Sequence, residues 1–246
     1  MDHLIIGRKP VTEAVKNGKP IQKILIREGS ASGPLAALLQ EARDRGIRID
    51  RVPERELDRM AEGHHHQGVV AYTAAGTYTD FERILQAVQE KRKALLVILD
   101  EIEDPQNLGA IIRTAECAGA SGVILPKRRS AGLSPAAVKA SAGATEYIPC
   151  ARVSNLASAI EELKKRGFWI GCCDMGGDNL FAADLPEKIA LVIGNEGRGV
   201  GRLIREKCDF ALSIPLYGKI ESLNASAAAA VVLYEVVRRC GDQAGA

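Results

Sequence analysis

The stretch ALLVILDEIEDPQNLGAIIRTAE, Ala94 to Glu116, decides the fold class of this chain. Its first six residues, Ala94 to Leu99, are all apolar, so neither face of a strand built from them can meet water. Such a run belongs in a parallel sheet covered on both sides. Asp104-Pro105 then supplies a helix start: a carboxylate that can accept from free amides, and a ring with φ already fixed. The same rhythm continues downstream. Strands are expected at Gly122–Leu125, Phe168–Cys172, Ala190–Gly194 and Phe210–Ile214, with helices between them and a last helix from about Leu223 to Arg239. The fold class is therefore α/β, with a mostly parallel sheet.

Upstream the elements are shorter. Helices are expected over 10–16, 34–45 and 53–60, and strands over 21–26, 47–49 and 68–73. This reads as a small α/β domain of residues 1–76. Residues 77–93 read as a connector carrying a charged helix capped by Asp80, and residues 94–246 as a second domain. A length of 246 residues suits two domains and a sizeable core without disulfides or metal.

Composition narrows the function. Aromatics make up only 4 %, which argues against an aromatic platform for stacked bases. The net charge of +2 means that any RNA must meet a local basic patch. Candidates are Arg8-Lys9, Lys127-Arg128-Arg129 with Lys139, and Arg198 with Arg202; each alone also fits an ordinary solvated surface. The six cysteines form no C-x-x-C pair and follow no signal peptide, so reduced thiols in a cytoplasmic protein are expected. No apolar run reaches the roughly 18 residues of a membrane span, so no integral membrane protein is expected.

Three strand ends carry the chemistry, since ligands of open α/β sheets gather beyond the carboxyl ends of strands. The first holds Asn107, Gly109 and Arg113. Gly109 leaves room for backbone or ligand, and Arg113 could equally pair with Glu116 one turn on. The second is Ile193-Gly-Asn-Glu-Gly-Arg-Gly199, a loop whose amides can come close to a ligand. It is neither a Walker loop nor a dinucleotide fingerprint, which sets aside an oxidoreductase. Glu196 within it is the odd feature, because a turn needs no carboxylate. The third holds Ser222 and Asn224 before five alanines in six positions. One of the two polar groups can cap the helix, leaving the other available. His64-His65-His66 cannot all face one ion from a single strand, so no metal site is expected there. Cys172-Cys173 reads as strand core.

Together, N-x-G-x-x-x-R (Asn107 to Arg113), I-G-N-E-G-R-G (Ile193 to Gly199), and Ile214-Pro-Leu216 followed by Ser222-Leu-Asn-Ala-Ser226 resemble the SpoU/TrmH family of RNA ribose 2′-O-methyltransferases. Ile6-Gly-Arg8-Lys-Pro10, and His65 and Gln67 with Gly68-Val-Val-Ala71, resemble the L30e-like RNA-binding domain of the branch that modifies a guanosine in large-subunit ribosomal RNA. The resemblance implies a SPOUT-type C-terminal domain with a deep trefoil knot, S-adenosyl-methionine as methyl donor, no metal, and a homodimer. It implies catalytic roles for Asn107, Arg113, Glu196, Ser222 and Asn224. By the same analogy the cofactor would lie against Gly194, Ile214 and Leu223, and RNA against Arg8, Arg113 and Arg198. The reaction would be an in-line displacement, with a ribose 2′-hydroxyl held about 3 Å from the methyl carbon. A guanidinium is a poor proton acceptor and a good bidentate donor, so a grip on phosphate or ribose suits Arg113 better than proton removal. A tRNA ribose methyltransferase and a silent RNA-binding assembly protein remain as alternatives.

Overall fold

A computed structural model describes residues 4–29, 34–61, 63–73 and 76–240. Its contacts divide the chain into two compact units, Met1–Thr77 with Gly132–Pro135, and Tyr78–Ala131 with Ala136–Ala246.

The first unit runs β1 (Leu4–Ile6), α1 (Arg8–Lys16), β2 (Ile21–Arg27), α2 (Pro34–Asp44), β3 (Arg48–Val52), α3 (Glu54–Ala61) and β4 (Val69–Thr73). Its sheet has the order β1-β4-β2-β3; β4 is antiparallel to both neighbours and β2 is parallel to β3. The alternation of side chains along a strand builds the layers. Ile24 and Ile26 of β2 join Val69 and Ala71 of β4 against Val11, Val15, Leu38 and Leu39 of α1 and α2. Leu25 and Val70 face the other way, onto Leu57 of α3. β1 was not anticipated: three half-buried residues offer no period to read. β3 runs further than expected, to Val52, because an edge strand tolerates charged residues such as Arg48 and Arg51, both exposed.

The second unit runs α4 (Phe81–Val88), β5 (Ala94–Leu99), α5 (Pro105–Cys117), β6 (Gly122–Pro126), α6 (Pro135–Ala140), a short 3₁₀ turn (Ala144–Glu146), β7 (Cys150–Val153), α7 (Leu156–Lys165), β8 (Trp169–Asn179), β9 (Lys188–Ile193), α8 (Arg202–Arg205), β10 (Phe210–Ser213) and α9 (Ala225–Cys240). Its six strands lie in the order β10-β8-β9-β5-β6-β7, all parallel. The two central strands, β9 and β5, are the apolar runs, and every residue of β5 is buried. Asp104 caps α5 through Gln106 N at 3.0 Å, with Pro105 following as expected.

Segment 77–93, expected as a connector, supplies α4, whose Ile84, Leu85 and Val88 sit in the core of this second unit. The helix stops at Val88 rather than near Lys93, and Asp80 precedes it without a side-chain cap bond. β7 was not anticipated, since Pro149 just before it lacks the N–H a ladder needs; its carbonyl accepts from Val123 N at 2.9 Å instead. β8 continues beyond the expected Cys172. Its pairing with β10 jumps from Cys172 to Asp178, so residues 173–177 bulge out of the ladder. Gly177 permits this: a Cβ there would stand 2.5 Å from the carbonyl carbon of Ala211.

Candidate functional site

The glycine loop beyond β9 folds back on its own strand. A Cβ on Gly194 would stand 2.3 Å from the carbonyl carbon of Gly199 and 2.4 Å from Val200 N, so no larger residue fits. Asn195 organises the turn. Its N donates to Gly199 O at 3.0 Å and Gly199 N returns a bond at 2.8 Å. Its side-chain oxygen accepts from Gly197 N at 2.9 Å and Arg198 N at 3.3 Å, while Nδ2 donates to Glu101 O at 3.1 Å. The far end of the loop is held by Gly201 N, which donates to the Asp100 carboxylate at 2.8 Å. Burial pushes the Asp100 pKa up, and that bond partly offsets it. Asn195 and Asp100 were not singled out from the sequence. The signal for Asn195 was its place between Gly194 and Glu196, where an Asx turn is favoured.

Three side chains from distant parts of the chain meet beside this loop. Asn107 Nδ2 donates to Glu196 Oε1 at 3.0 Å. Asn224 Nδ2 donates to Asn107 Oδ1 at 2.9 Å and also to Glu196 Oε1. Ala225 N donates to the same carboxylate oxygen at 3.0 Å. Asn224 Oδ1 meanwhile caps α9, accepting from Ser226 N at 3.0 Å and Ala227 N at 3.3 Å. Oδ1 also accepts from Ser226 Oγ at 2.5 Å, so both donors and the acceptor oxygen of Asn224 are fully used. The purpose of Glu196 in a turn is now visible: it accepts amides at the start of α9.

A cavity of about 400 Å³ opens against the same loop. Gly194, Glu196 and Arg198 form one wall, and Ile214, Ser222 and Leu223 another. The bulge of β8 adds Cys173, Asp174 and Met175. Burial pushes the Cys173 thiol up to about 12, so it stays protonated at neutral pH. These three were not expected as lining residues; the Gly176-Gly177 pair was the only sequence sign that the strand would bulge.

Of the residues expected at a site, Asn107, Glu196 and Asn224 are hydrogen-bonded together. Gly194, Glu196, Arg198, Ile214, Ser222 and Leu223 line one cavity. Asn224, not Ser222, is the helix cap, so Ser222 is the polar group left for the cavity. Arg113 is exposed on α5, and its side chain makes neither an ion pair with Glu116 nor a hydrogen bond with any described residue. The room at Gly109 is taken by backbone, not ligand: a Cβ there would stand 2.3 Å from Ala137 O. Arg8 lies in the first unit, with Nε donating to Gln67 O at 3.0 Å. His66, next to Gln67 in sequence, is buried, and its two ring nitrogens meet Asp58 at 2.9 Å and Gly68 N at 3.0 Å, a structural use of the histidine. Among the described residues no His, Cys, Asp and Glu cluster could hold a metal, and no helix is long and apolar enough to cross a membrane.

Along most of its length the chain is similar to known RNA methyltransferases. Residues 4–79 match the family described as RNA 2′-O ribose methyltransferase substrate binding. The "Putative TrmH family tRNA/rRNA methyltransferase YacO" of Bacillus subtilis is 45 % identical over 237 residues, 96 % of this chain and 95 % of that one. The SpoU methyltransferase AviRb from Streptomyces viridochromogenes, solved with the cofactor AdoMet, is 29 % identical with a TM-score of 0.61, covering 96 % of this chain and 89 % of its own. An AdoMet-bound rRNA methyltransferase from Sinorhizobium meliloti is 26 % identical with a TM-score of 0.61, covering 96 % and 87 %. A TrmH/SpoU tRNA modifying enzyme from A. aeolicus is 27 % identical with a TM-score of 0.55, but covers only 65 % of this chain and 81 % of its own. Residues 94–234, more than half of the sequence, match the SpoU rRNA Methylase family, and the chain belongs to the SpoU/TrmH family of RNA methyltransferases.

Proposed function

We propose that this protein transfers the methyl group of S-adenosyl-methionine to a ribose 2′-hydroxyl of RNA, on a guanosine of large-subunit ribosomal RNA. The observation that carries the reading is the cavity walled by the glycine loop and the start of α9, with Glu196 reaching from one to the other.

The cavity fits the donor. Its volume lies in the range of small-molecule sites. The fold-back at Gly194 leaves backbone, without a side chain, as part of the wall. Gly194, Ile214 and Leu223 would hold the donor, which supplies an electrophilic methyl on a sulfonium sulfur. The residues of the chain do the rest. Glu196, Asn107 and Asn224 fix the loop and the start of α9 in one geometry. Ser222 offers a hydroxyl toward a ribose. Arg113 and Arg198, both without an ion-pair partner among the described residues, are free to bind phosphate bidentately. We assign the trefoil knot, in which the segment after Ile214 passes through an earlier loop, and the homodimer to the same reading.

Ribosomal RNA is favoured over tRNA by the first unit. The A. aeolicus tRNA modifying enzyme covers about two thirds of this chain, whereas the S. meliloti rRNA methyltransferase covers nearly all of it. The test is methyl transfer from tritiated S-adenosyl-methionine to unmodified large-subunit ribosomal RNA and, separately, to bulk tRNA, followed by mapping of the label. Label on a guanosine ribose of the ribosomal RNA is expected. Label on tRNA alone would reverse the choice of substrate.

A further inference from the structure

The basic tripeptide Lys127-Arg128-Arg129 follows β6 directly and is exposed. A loop that merely solvates charge needs no fixed backbone, yet this one is pinned along its length. Lys127 N donates to Val153 O at 2.9 Å, and Lys127 O accepts from Arg152 Nη2 at 2.7 Å. Ala131 N donates to Ile102 O at 2.7 Å. Between these points Arg129 Nη1 pairs with Glu101 at 3.1 Å. Arg129 and Glu101 both have left-handed backbone, with φ of 52° and 55°, a conformation that residues with a Cβ seldom adopt and that clusters at functional sites.

The pinning leads to the cavity. Glu101 holds Arg129 with its side chain, and its carbonyl accepts from Asn195 Nδ2 at 3.1 Å. Asn195 in turn shapes the glycine loop and lines the cavity. The side chains of Lys127 and Arg128, by contrast, form no ion pair or hydrogen bond with any described residue. The loop therefore presents two unpaired cations on a fixed backbone, one relay of contacts away from the glycine loop.

We propose that Lys127–Arg129 is a preset grip for the RNA phosphate backbone, with Lys127 and Arg128 as the phosphate contacts and Glu101 as the residue that positions the loop. The inference rests on the reading of the protein as an RNA methyltransferase. A ribose presented at the cavity arrives with phosphates on both sides, so a polyanion must pass close to the glycine loop. Cations held in place there bind it without first ordering a flexible loop.

The test uses the full-length protein, an in vitro transcript of large-subunit ribosomal RNA and, in parallel, bulk tRNA. Binding is measured across a series of salt concentrations for wild type, for the double variant K127Q/R128Q and for Glu101→Gln. Affinity for S-adenosyl-methionine is measured by calorimetry, and methyl transfer by wild type is assayed alongside. The double variant is expected to bind the RNA that wild type methylates on the order of tenfold more weakly, and its log–log salt slope to become shallower by about 1.4, from two phosphate contacts at about 0.7 each. Its affinity for S-adenosyl-methionine and its melting temperature stay in place. Glu101→Gln leaves Lys127 and Arg128 in place and frees Arg129 from its partner, so its salt slope does not become shallower, while loss of the fixed loop lowers RNA affinity roughly threefold. If wild type methylates RNA and the double variant keeps both affinity and slope, the loop is ordinary surface and the grip alone is refuted. If wild type binds the donor but neither binds nor methylates either RNA, the grip falls together with the functional reading.

Discussion

At the scale of single residues, the site turns on groups that have no substitute. Gly194→Ala would push a methyl group to within 2.3 Å of the Gly199 backbone, which cannot swing away as a side chain could. Overpacking of this kind costs about 1–3 kcal/mol, and here it falls on the cavity wall. The variant is expected to melt earlier and to lose the rise in melting temperature caused by S-adenosyl-methionine; an unchanged rise would remove Gly194 from the cavity. Glu196→Ala leaves the amides of Asn107, Asn224 and Ala225 without their shared acceptor. Of these, Asn107 and Ala225 are buried, and each buried unmatched donor costs about 1–3 kcal/mol. Methyl transfer should fall by about a hundredfold, and Glu196→Gln, which keeps one acceptor oxygen, should fall less. Equal activity of the two variants would show that the acceptor role is not what matters. Arg113→Lys keeps the charge and loses the planar fork, so kcat/KM should drop at least about tenfold, or about 1.4 kcal/mol. Near-normal turnover would take Arg113 out of its role.

Elements place these residues, and their placement can be tested through packing and charge. Gly109→Ala improves helix propensity in α5 by about 1 kcal/mol. The added methyl would nevertheless meet Ala137 O at 2.3 Å and Ala140 Cβ at 2.5 Å, and overpacking of about 1–3 kcal/mol should win. A lower melting temperature is expected; a higher one would mean that α6 gives way freely. In α9, Glu235 accepts from Arg238 at 2.7 Å and from Arg239 at 2.6 Å, and these partners hold its carboxyl down to about 2 from the ordinary 4.5. A depressed carboxylate stabilises the fold above its unfolded pKa, and that contribution is lost as pH falls through the folded pKa. Melting followed from pH 4.5 down to pH 2 should therefore show a loss on the order of 1 kcal/mol, after allowance for solvent screening, that Glu235→Gln does not show. Sequence reading located the long elements for a physical reason: β5 and β9 are apolar on both faces, and Asp104-Pro105 marks a helix start without ambiguity. It missed β1 and β7, which lie at sheet edges and are too short to show a period. It could not show the bulge of β8, because that shape depends on Ala211 of β10, far along the chain, passing close to Gly177.

For the whole molecule, donor binding should register as stability. S-adenosyl-methionine at a hundred times its dissociation constant should stabilise the protein by about 2.7 kcal/mol through mass action, while NAD should leave the melting temperature unchanged. A shift with NAD alone would overturn the assignment of the cavity. The sequence named most of the side chains at the site, but not their partnerships. That Glu196 bonds to Asn107 and Asn224 is a fact of folding across separations of 89 and 28 residues, and no local pattern encodes it. The same separations have a consequence for synthesis. The cavity needs Leu223, and the Glu196 junction needs Asn224, both at the start of the last helix to be made. A chain still being translated can form β5 and β9 and yet have no pocket to fill. Incomplete products that stop short of α9 should neither sequester S-adenosyl-methionine nor compete with the finished enzyme for it.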